Sequence, residues 1–351
     1  MSSYLSEKLK NLKPYTPGEQ PKGQKFIKLN TNESPFPPAP EVLMAAKKEA
    51  QKLNLYSDPT SSDLKRALAD YYSVSERNVF VSNGSDEALA FAFLAYGDNG
   101  FQGPEVSYGF YPVFASLYGI DYKKLPLNDD LSINLEAFSE DNKRATVFAN
   151  PNAGTGLYFT PKEIEAFLEK TTAPVILDEA YIDFGGETAI PLTKKFKNLL
   201  ITGTFSKSRN LAGARIGFAI GDSALIEDLE RIKYSFNPYN LNRISIAAGV
   251  EAIKNEAYFK ECTEAIIKNR EFTRLELIKL GFTVTDSKAN FLLCKSEKIG
   301  GEALYKALKE KGILIRYLGD KRIEDYVRIT IGSIDEMKTL IKEIRDEIGR
   351  N

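Results

Sequence analysis

Short apolar runs alternate with helical stretches along the middle of the chain. The runs that have the length of buried strands lie at residues 79–81, 145–148, 175–177, 199–201 and 216–218. Stretches with helical periodicity, such as 85–96 and 161–170, separate them. Strands that alternate with helices are typical of βαβ units, in which helices cover both faces of a parallel sheet. The pattern predicts an α/β fold built on a large, mostly parallel sheet.

The two ends of the chain show other patterns. Residues 1–40 are rich in Pro, Gly and Asn, which predicts an extended arm before helices that open near Glu41 and at Ser61-Ser62-Asp63. A long helical region at 243–280 then precedes a mixture typical of a smaller α+β domain. In that mixture we expect strands at 290–294, 313–316 and 326–331 and helices at 301–311 and 334–347. We expect three parts: 1–50, the arm with part of the small domain; 51–242, a large domain; and 243–351, the small C-terminal domain.

Charge and cysteine content limit the possible partners and compartments. Lys and Arg number 47 against 48 Asp and Glu, so the basic excess of a nucleic-acid-binding protein is missing. The first residues lack the apolar core of a secretion signal, and no apolar run is long enough for a membrane span. Cys262 and Cys294 form no C-x-x-C motif, which indicates thiols in a reducing compartment. We expect a cytoplasmic protein without nucleic-acid or membrane partners.

The chain of 351 residues contains no histidine. Ser-His-Asp and Cys-His catalysis, His-ligated zinc and haem bound through histidine are therefore excluded, and no metal site is expected. Acid–base chemistry must come from Lys, Tyr, Asp or Glu, or from a cofactor.

Polar residues directly follow several predicted strands, at the edge where open parallel sheets bind ligands. Asn83-Gly84-Ser85-Asp86-Glu87 opens a helix, where free backbone N–H groups can bind phosphate, although Ser85 and Asp86 could simply cap the helix. Asp178 ends a buried strand and needs a cation, either a protonated ring nitrogen or a structural Arg or Lys.

The segment Thr204-Phe205-Ser206-Lys207 also follows a predicted strand, and Arg215 lies eight residues further on. A lysine that is near a second cation and away from water has a lowered pKa and becomes a nucleophilic amine. The alternative is an ordinary lysine on a surface loop. Tyr108 and the loop Asn150-Pro151-Asn152-Ala153-Gly154-Thr155-Gly156 complete the candidates, while dinucleotide, P-loop and G-x-S-x-G motifs are missing from the sequence.

In this order, the segments resemble the fold-type I, pyridoxal 5′-phosphate-dependent aminotransferases, and within them the histidinol-phosphate aminotransferases. The resemblance runs from Leu12-Lys13-Pro14-Tyr15 and Leu29-Asn30-Thr31-Asn32-Glu33-Ser34-Pro35, through Tyr56-Ser57-Asp58-Pro59, to Arg328-Ile329-Thr330-Ile331-Gly332. Its most specific motif is Ser206-Lys207-Ser208-Arg209-Asn210-Leu211-Ala212-Gly213-Ala214-Arg215. The resemblance implies a large pyridoxal-phosphate-binding domain, a small α+β domain and a homodimer.

The resemblance also implies roles for individual residues. Lys207 would bind the cofactor covalently and transfer the proton, while Asp178 would pair with the ring nitrogen. Tyr181 would hydrogen-bond the ring oxygen and Tyr108 would stack on the ring. The 5′-phosphate would be surrounded by Ser85, Asp86, Ser206 and Arg215, with Tyr56 from the partner subunit, and the substrate would meet Arg328, Arg316 and Tyr15.

One loop departs from the family pattern. Many relatives have Asn-Pro-Asn-Asn-Pro-Thr-Gly where this chain has Ala153 and Gly154 at the fourth and fifth positions. The asparagine that usually bonds the ring oxygen is thus displaced or replaced, and Asn152 is the candidate replacement. Gly154 also frees a backbone that proline would restrict.

The implied activity is transfer of an amino group between L-histidinol phosphate and 2-oxoglutarate, which gives imidazole acetol phosphate and glutamate, in histidine biosynthesis. A lyase similar to threonine-phosphate decarboxylase and an aromatic amino-acid aminotransferase share the same motifs and stay open as alternatives. A non-catalytic cofactor-binding or regulatory protein is a third class, against which the set Lys207, Asp178 and Arg215 argues.

Overall fold

The computed structural model of the chain describes residues 2, 4–21 and 26–349, and these residues form three separate sheets. The helices are α1 Pro40–Ala50, α2 Ser62–Tyr72, α3 Ser85–Tyr96, α4 Tyr111–Tyr118, α5 Leu135–Ser139, α6 Pro161–Leu168, α7 Ser223–Phe236, α8 Arg243–Lys254, α9 Glu256–Lys279, α10 Gly301–Glu310 and α11 Ile334–Ile348. The strands are β1 Ile27–Lys28, β2 Val79–Asn83, β3 Phe101–Pro104, β4 Tyr122–Leu125, β5 Ala145–Ala149, β6 Val175–Asp178, β7 Leu199–Thr204, β8 Ile216–Gly221, β9 Phe282–Val284, β10 Phe291–Ser296, β11 Ile313–Leu314, β12 Arg316–Tyr317 and β13 Tyr326–Thr330.

The large sheet has seven strands in the order β2-β8-β7-β6-β5-β3-β4. Its pairs are parallel except where β8 runs antiparallel to β2 and β7. Both faces are buried: Ile176 of β6 packs in one apolar cluster, and its neighbours Val175 and Leu177 pack in another. The predicted α/β fold with a mostly parallel sheet is confirmed.

All five predicted strands of this sheet are present, and two more complete it. β4 lies at the sheet edge and exposes Lys123 and Lys124, so it lacks a buried apolar run. β3 is a short Phe-Gln-Gly-Pro segment whose sequence has no alternating or β-branched pattern. The sequence pattern therefore predicted neither β3 nor β4.

The small sheet is antiparallel, in the order β12-β13-β10-β9, and β1 of the arm pairs with β11 in a separate two-stranded parallel sheet. The prediction of a single strand at 313–316 is wrong, because this segment forms two strands, β11 and β12, that belong to different sheets. The helical region at 243–280 is interrupted at Asn255, which leaves helical geometry at ψ 56°. The arm is not wholly extended either, since Glu7–Leu9 forms a 3₁₀ turn.

The domain limits at residues 50 and 242 stay a prediction.

Helices α1 and α2 begin where the sequence indicated, and both pack against α8. Among the residues the structure describes, none of the helices has the length and apolar content to cross a membrane. For the site, the decisive feature is that β5, β6 and β7 end side by side, so their following residues meet at one sheet edge.

Candidate active site

Lys207 lies three residues beyond β7, at the centre of a cleft. Its Nζ donates to the backbone carbonyl of Thr31 at 3.2 Å and lies 5.8 Å from the centre of the Tyr181 ring. Burial, reinforced by the positive charge of Arg328, lowers the pKa of Lys207 to about 8. The amine is therefore available in its neutral, nucleophilic form far closer to neutral pH than a surface lysine is.

Asp178 ends the neighbouring strand β6 and is only 3% exposed. Its carboxylate accepts hydrogen bonds from the Tyr111 hydroxyl at 3.0 Å, the Ala180 N–H at 3.2 Å and the Thr202 hydroxyl at 3.3 Å. Burial raises the pKa of Asp178 to about 6, against the effect of these donors. Within the described parts of the chain no Lys or Arg forms an ion pair with it. A buried carboxylate without a protein cation suits a cationic ligand, which favours the ring-nitrogen alternative.

The third part of the cleft is an anion cradle formed by the start of α3 and Arg215. The N-cap of α3, Gly84, has φ 74° and makes no side-chain cap, so Ser85 and Asp86 are not capping residues but the first residues of the helix. The uncapped N–H groups and the helix dipole favour a bound anion here. A Cβ at Gly217 would lie 2.2 Å from the backbone nitrogen of Ser85, so only glycine lets the two segments approach this closely.

Arg215 binds residues on both sides of the anion cradle, Asp86 of α3 and Ser206 beside Lys207. Its Nη2 forms a 2.8 Å ion pair with Asp86, whose other carboxylate oxygen accepts from the Tyr108 hydroxyl at 2.7 Å. Its Nη1 donates to the Ser206 hydroxyl at 3.5 Å. Burial and the nearby Asp86 raise the pKa of Tyr108, which keeps this phenol neutral. The cofactor residues predicted from the sequence thus line one small cavity of about 90 Å³, with the exceptions of Asn152 and Tyr56.

A second cavity of about 460 Å³ continues from Lys207 towards the small sheet. Arg328 on β13 and Arg316 on β12 stand in register on neighbouring strands and both line it. Arg328 donates from Nη1 to the Ala153 carbonyl at 3.0 Å and lies 5.1 Å from the centre of the Phe291 ring, while its buried Nε has no partner in the described structure. Burial lowers the pKa of Arg328.

The arm forms part of the wall of this second cavity. Arg316 donates from Nη2 to the Thr16 carbonyl at 3.1 Å, which ties the arm to the small sheet. Tyr15 stacks on Phe110 with 4.3 Å between ring centres and lines the cavity beside Tyr108. The structure thus brings together the predicted substrate-facing residues Arg328, Arg316 and Tyr15.

Two predicted site residues lie elsewhere. Asn152 is buried within its own loop, where its amide donates to the Val106 carbonyl at 3.0 Å and to the Thr155 hydroxyl at 3.2 Å, and it does not line the cavity. The next residue, Ala153, lines the cavity instead. Tyr56 is 80% exposed, stacks on Tyr239 at 4.5 Å and does not line the cleft of its own chain.

Sequence reasoning missed residues that hold the predicted ones. Tyr111 and Thr202 bind Asp178, and Asn32 donates to the Tyr181 hydroxyl at 3.0 Å. Ser107 lines the larger cavity, and its buried hydroxyl has no partner among the described residues. Asn32 stands inside the segment Leu29-Asn30-Thr31-Asn32-Glu33-Ser34-Pro35, which resembles the family, so its position in that motif was the available signal.

Comparisons with known proteins agree with this geometry. Residues 24–344 match the family model described as aminotransferase class I and II. The chain is 48% identical to the histidinol-phosphate aminotransferase of Brachyspira hyodysenteriae, over 98% of this chain and 99% of that protein. It is 47% identical to the enzyme of the same name from Clostridium botulinum, with both chains fully covered.

Solved structures give the same result. The histidinol-phosphate aminotransferase of Sinorhizobium meliloti, in complex with pyridoxal-5′-phosphate, superposes with a TM-score of 0.91 at 26% identity, covering 100% of this chain and 99% of that one. An aspartate aminotransferase mutant from Thermus thermophilus shares the fold, with a TM-score of 0.84 at 20% identity over 98% of this chain and 99% of that one. The chain belongs to the class I and II aminotransferases and, within them, to the histidinol-phosphate aminotransferase family.

Proposed function

We propose that this chain is a pyridoxal-phosphate-dependent transaminase that moves an amino group between L-histidinol phosphate and 2-oxoglutarate in histidine biosynthesis. The relatives from Brachyspira hyodysenteriae and Clostridium botulinum are named histidinol-phosphate aminotransferases. The observation that carries the proposal is the placement of Lys207, with its lowered pKa, in one cleft with the cation-free Asp178 and the anion cradle of α3 and Arg215.

The residues present fit pyridoxal 5′-phosphate. A phosphate needs donors and positive charge, which the start of α3 and Arg215 provide. A protonated ring nitrogen needs a buried carboxylate without a competing cation, which Asp178 provides. When bound, the cofactor supplies an electron-withdrawing ring that accepts the electron pair left when the substrate Cα–H bond breaks.

The chain's own residues then have distinct tasks. Lys207 would hold the cofactor covalently and would move the proton of the substrate carbon. Asp178 would keep the ring nitrogen protonated, and Tyr111 and Thr202 fix the direction of its carboxylate. Tyr181 would donate to the ring oxygen and Tyr108 would pack on the ring. The phosphate would be held by the backbone N–H groups of Ser85 and Asp86, by the Ser206 hydroxyl and by Arg215, in the cavity that these residues line together.

We assign substrate recognition to Arg328, Arg316 and Tyr15. Histidinol phosphate carries a phosphate but no carboxylate, whereas glutamate carries two carboxylates. Guanidinium groups suit both anions, because their paired N–H donors match phosphate and carboxylate oxygens alike. The buried Nε of Arg328 has no partner among the described residues and so keeps an unused donor, and Arg328 lines the second cavity.

We also propose a cytoplasmic homodimer in which Tyr56 completes the partner subunit's phosphate site. Support comes from the exposure of Tyr56 together with that of Leu53 and Leu55, which precede it in the chain by three residues and one residue and are 60% and 58% exposed. Exposed apolar residues that cluster in this way mark interaction surfaces. The free, buried Cys262 and Cys294 agree with a reducing compartment.

A half-reaction screen tests the substrate. The loaded enzyme is mixed with single amines, and the loss of its visible absorbance is followed. We expect L-histidinol phosphate and glutamate to bleach it and 2-oxoglutarate to restore it. Bleaching only by an aromatic amino acid, or release of CO₂ from threonine phosphate without any oxo acid, would replace the proposed reaction by one of the alternatives.

Mixed dimers test the shared site. Tyr56→Ala and Lys207→Ala protomers are each inactive or nearly so, but in a hybrid one site carries both changes and the other carries neither. Mixing the two proteins should therefore regenerate activity, and sedimentation should show a dimer. An active monomer, or no regained activity in verified hybrids, contradicts the proposal.

A further inference from the structure

The side chain of Asn32 links Tyr181 to the strand that carries Arg328. Its Nδ2 donates to the Tyr181 hydroxyl oxygen at 3.0 Å, and its Oδ1 accepts from the Thr330 hydroxyl at 2.9 Å. Thr330 is the last residue of β13, two positions after Arg328. Asn32, Thr330 and Tyr181 are 1%, 3% and 7% exposed, so water does not compete for these hydrogen bonds.

The orientation of this amide is fixed by its surroundings. The backbone N–H of Asn32 donates to the Thr330 hydroxyl oxygen at 3.0 Å, and that hydroxyl has one proton, which it gives to Oδ1 of Asn32. The amide oxygen therefore faces Thr330 and the amide NH₂ faces Tyr181. This leaves the Tyr181 oxygen as the acceptor of the pair.

The proton of Tyr181 consequently points elsewhere. A phenol has a single proton, and in the described structure the Tyr181 hydroxyl donates to no protein atom. Tyr181 lines the small cavity, so its proton is free for an acceptor placed there. Asn152 supplies no second donor, since its amide is bound to Val106 and Thr155.

The backbone around Asn32 is held equally firmly. Asn32 adopts φ 55°, a left-handed conformation that asparagine tolerates better than most residues. Its carbonyl accepts from the Asn290 amide at 3.0 Å, and the preceding carbonyl, of Thr31, accepts from Lys207. The segment thus has little freedom to reorient its side chain.

We propose that Asn32 is a positioning residue for the transamination. By donating to the Tyr181 oxygen it commits the proton of Tyr181 to the cofactor's ring oxygen, and through Thr330 it ties that orientation to the strand of Arg328. This inference rests on the proposed function. A donor at the ring oxygen stabilises the deprotonated form of the bound cofactor, because that form carries more negative charge on the oxygen. Asn32 thereby lowers the pH at which the cofactor's visible absorbance changes.

The test is a pH titration of the visible absorbance of the holoenzyme. Asn32→Asp removes the donor, and its carboxylate draws the Tyr181 proton away from the cavity; Asn32→Gly removes the side chain while accepting the same backbone conformation. We expect both to raise the titration midpoint by about one pH unit or more, since a hydrogen bond to a charged group has at least that effect. Thr330→Val, which keeps the branched shape, should raise it less.

Stability of the cofactor-free protein separates positioning from structure. A purely structural Asn32 would lower the melting temperature of the cofactor-free variants and leave the titration midpoint unchanged, and that result would overturn the proposal. Asn269→Asp is the matched control: Asn269 is also buried and donates to a backbone carbonyl, that of Gly332, but lies outside both cavities. It should change stability alone.

Tyr181→Phe and the unmodified protein separate failure of the proposal for Asn32 from failure of the proposed function. If Tyr181→Phe raises the midpoint and the Asn32 and Thr330 variants do not, the role of Asn32 is wrong and the proposed function stands. If the unmodified protein forms no visible absorbance with pyridoxal 5′-phosphate, the proposed function itself is wrong.

Discussion

The two ends of the cleft differ in how completely their charged side chains are paired. At the cofactor end, Asp178 accepts three hydrogen bonds and Asp86 is held by both Arg215 and Tyr108. At the substrate end, the buried Nε of Arg328 and the buried hydroxyl of Ser107 have no partner among the described residues. An unpaired buried donor costs about 1–3 kcal/mol, which a bound anion recovers.

The proposed function explains this difference, because one end would bind the cofactor and the other the substrate. A cofactor that stays in place is served by groups already fixed in one geometry, because no reorganisation is then needed during the reaction. A site that accepts a phosphate in one half-reaction and a carboxylate in the other needs donors left free for either. We therefore expect substitutions at the cofactor end to affect the chemical step, and those at the substrate end to affect binding and choice of substrate.

The largest effect is expected for Lys207→Ala. Turnover should fall below detection, because among the residues that the structure describes no other amine lines the small cavity to hold the cofactor and move the proton. The anion cradle remains, so the variant should still bind pyridoxal 5′-phosphate, measured by equilibrium dialysis. Lys197→Ala, at an exposed lysine near the start of β7, is the control that keeps activity. Absorbance typical of a lysine-bound cofactor in Lys207→Ala would contradict the assignment.

Asp178→Asn should come next, with a loss of kcat of about 100-fold or more and retained cofactor binding. A neutral amide cannot pair with the protonated ring nitrogen. Glu179→Gln is a demanding control: Glu179 is the next residue and is also buried, but its carboxylate accepts from Thr188 and the Ala189 N–H, away from the cleft. Burial raises the pKa of Glu179 to about 8, so an uncharged amide suits its site. Steady-state kinetics measures kcat for both variants. An equal loss of kcat in the two would mean that Asp178 has only a structural role.

The same contrast explains what the sequence could predict. The cofactor end consists of residues that directly follow buried strands or open a helix, so Asp178, Lys207 and Ser85 could be located from local patterns. The pairing at that end could not, because Tyr111 meets Asp178 across 67 positions and Asn32 meets Tyr181 across 149.

At the substrate end, the arginines were predicted only through resemblance. Arg316 and Arg328 stand on short strands whose register is set by pairing with distant parts of the chain. Because residues 313–316 are divided between two sheets, the local sequence does not indicate that Arg316 faces the cleft. Asn152, in contrast, was predicted as a cofactor-binding residue but does not line the cavity. It follows a strand like the other candidates, but its loop turns the amide towards Val106 and Thr155.

Arg328→Ala should reduce kcat/KM at least about tenfold for both L-histidinol phosphate and glutamate, because each charge-assisted hydrogen bond contributes about 1.5–3 kcal/mol. Arg328→Lys should recover part of the loss, since an ammonium keeps the charge but loses the paired donors. Steady-state kinetics with each substrate measures both variants. Unchanged kinetics would remove Arg328 from the site, and a loss confined to glutamate would move phosphate recognition to Arg316 and the arm.

The smallest effect tests whether the two ends influence each other through charge. The positive charge of Arg328 is the second cause, after burial, that lowers the pKa of Lys207 to about 8, towards the neutral amine. Arg328→Gln should therefore raise the pKa of Lys207, by about half a pH unit for charges at this range. The sign is fixed: removing a like charge makes the ammonium form easier to keep. An anion bound at Arg328 acts in the same direction, so substrate binding would make Lys207 a stronger base.

The measurement uses the cofactor-free protein, in which an amine-directed reagent modifies Lys207 and peptide mass spectrometry follows the rate against pH. The midpoint should move upward in Arg328→Gln. Arg316→Gln is the control, because Arg316 stands in register with Arg328 but is not among the charges that have the largest effects on the pKa of Lys207. An unchanged midpoint in Arg328→Gln, or an equal shift in both variants, would mean that burial alone sets the pKa of Lys207 and that the two ends of the cleft are electrostatically independent.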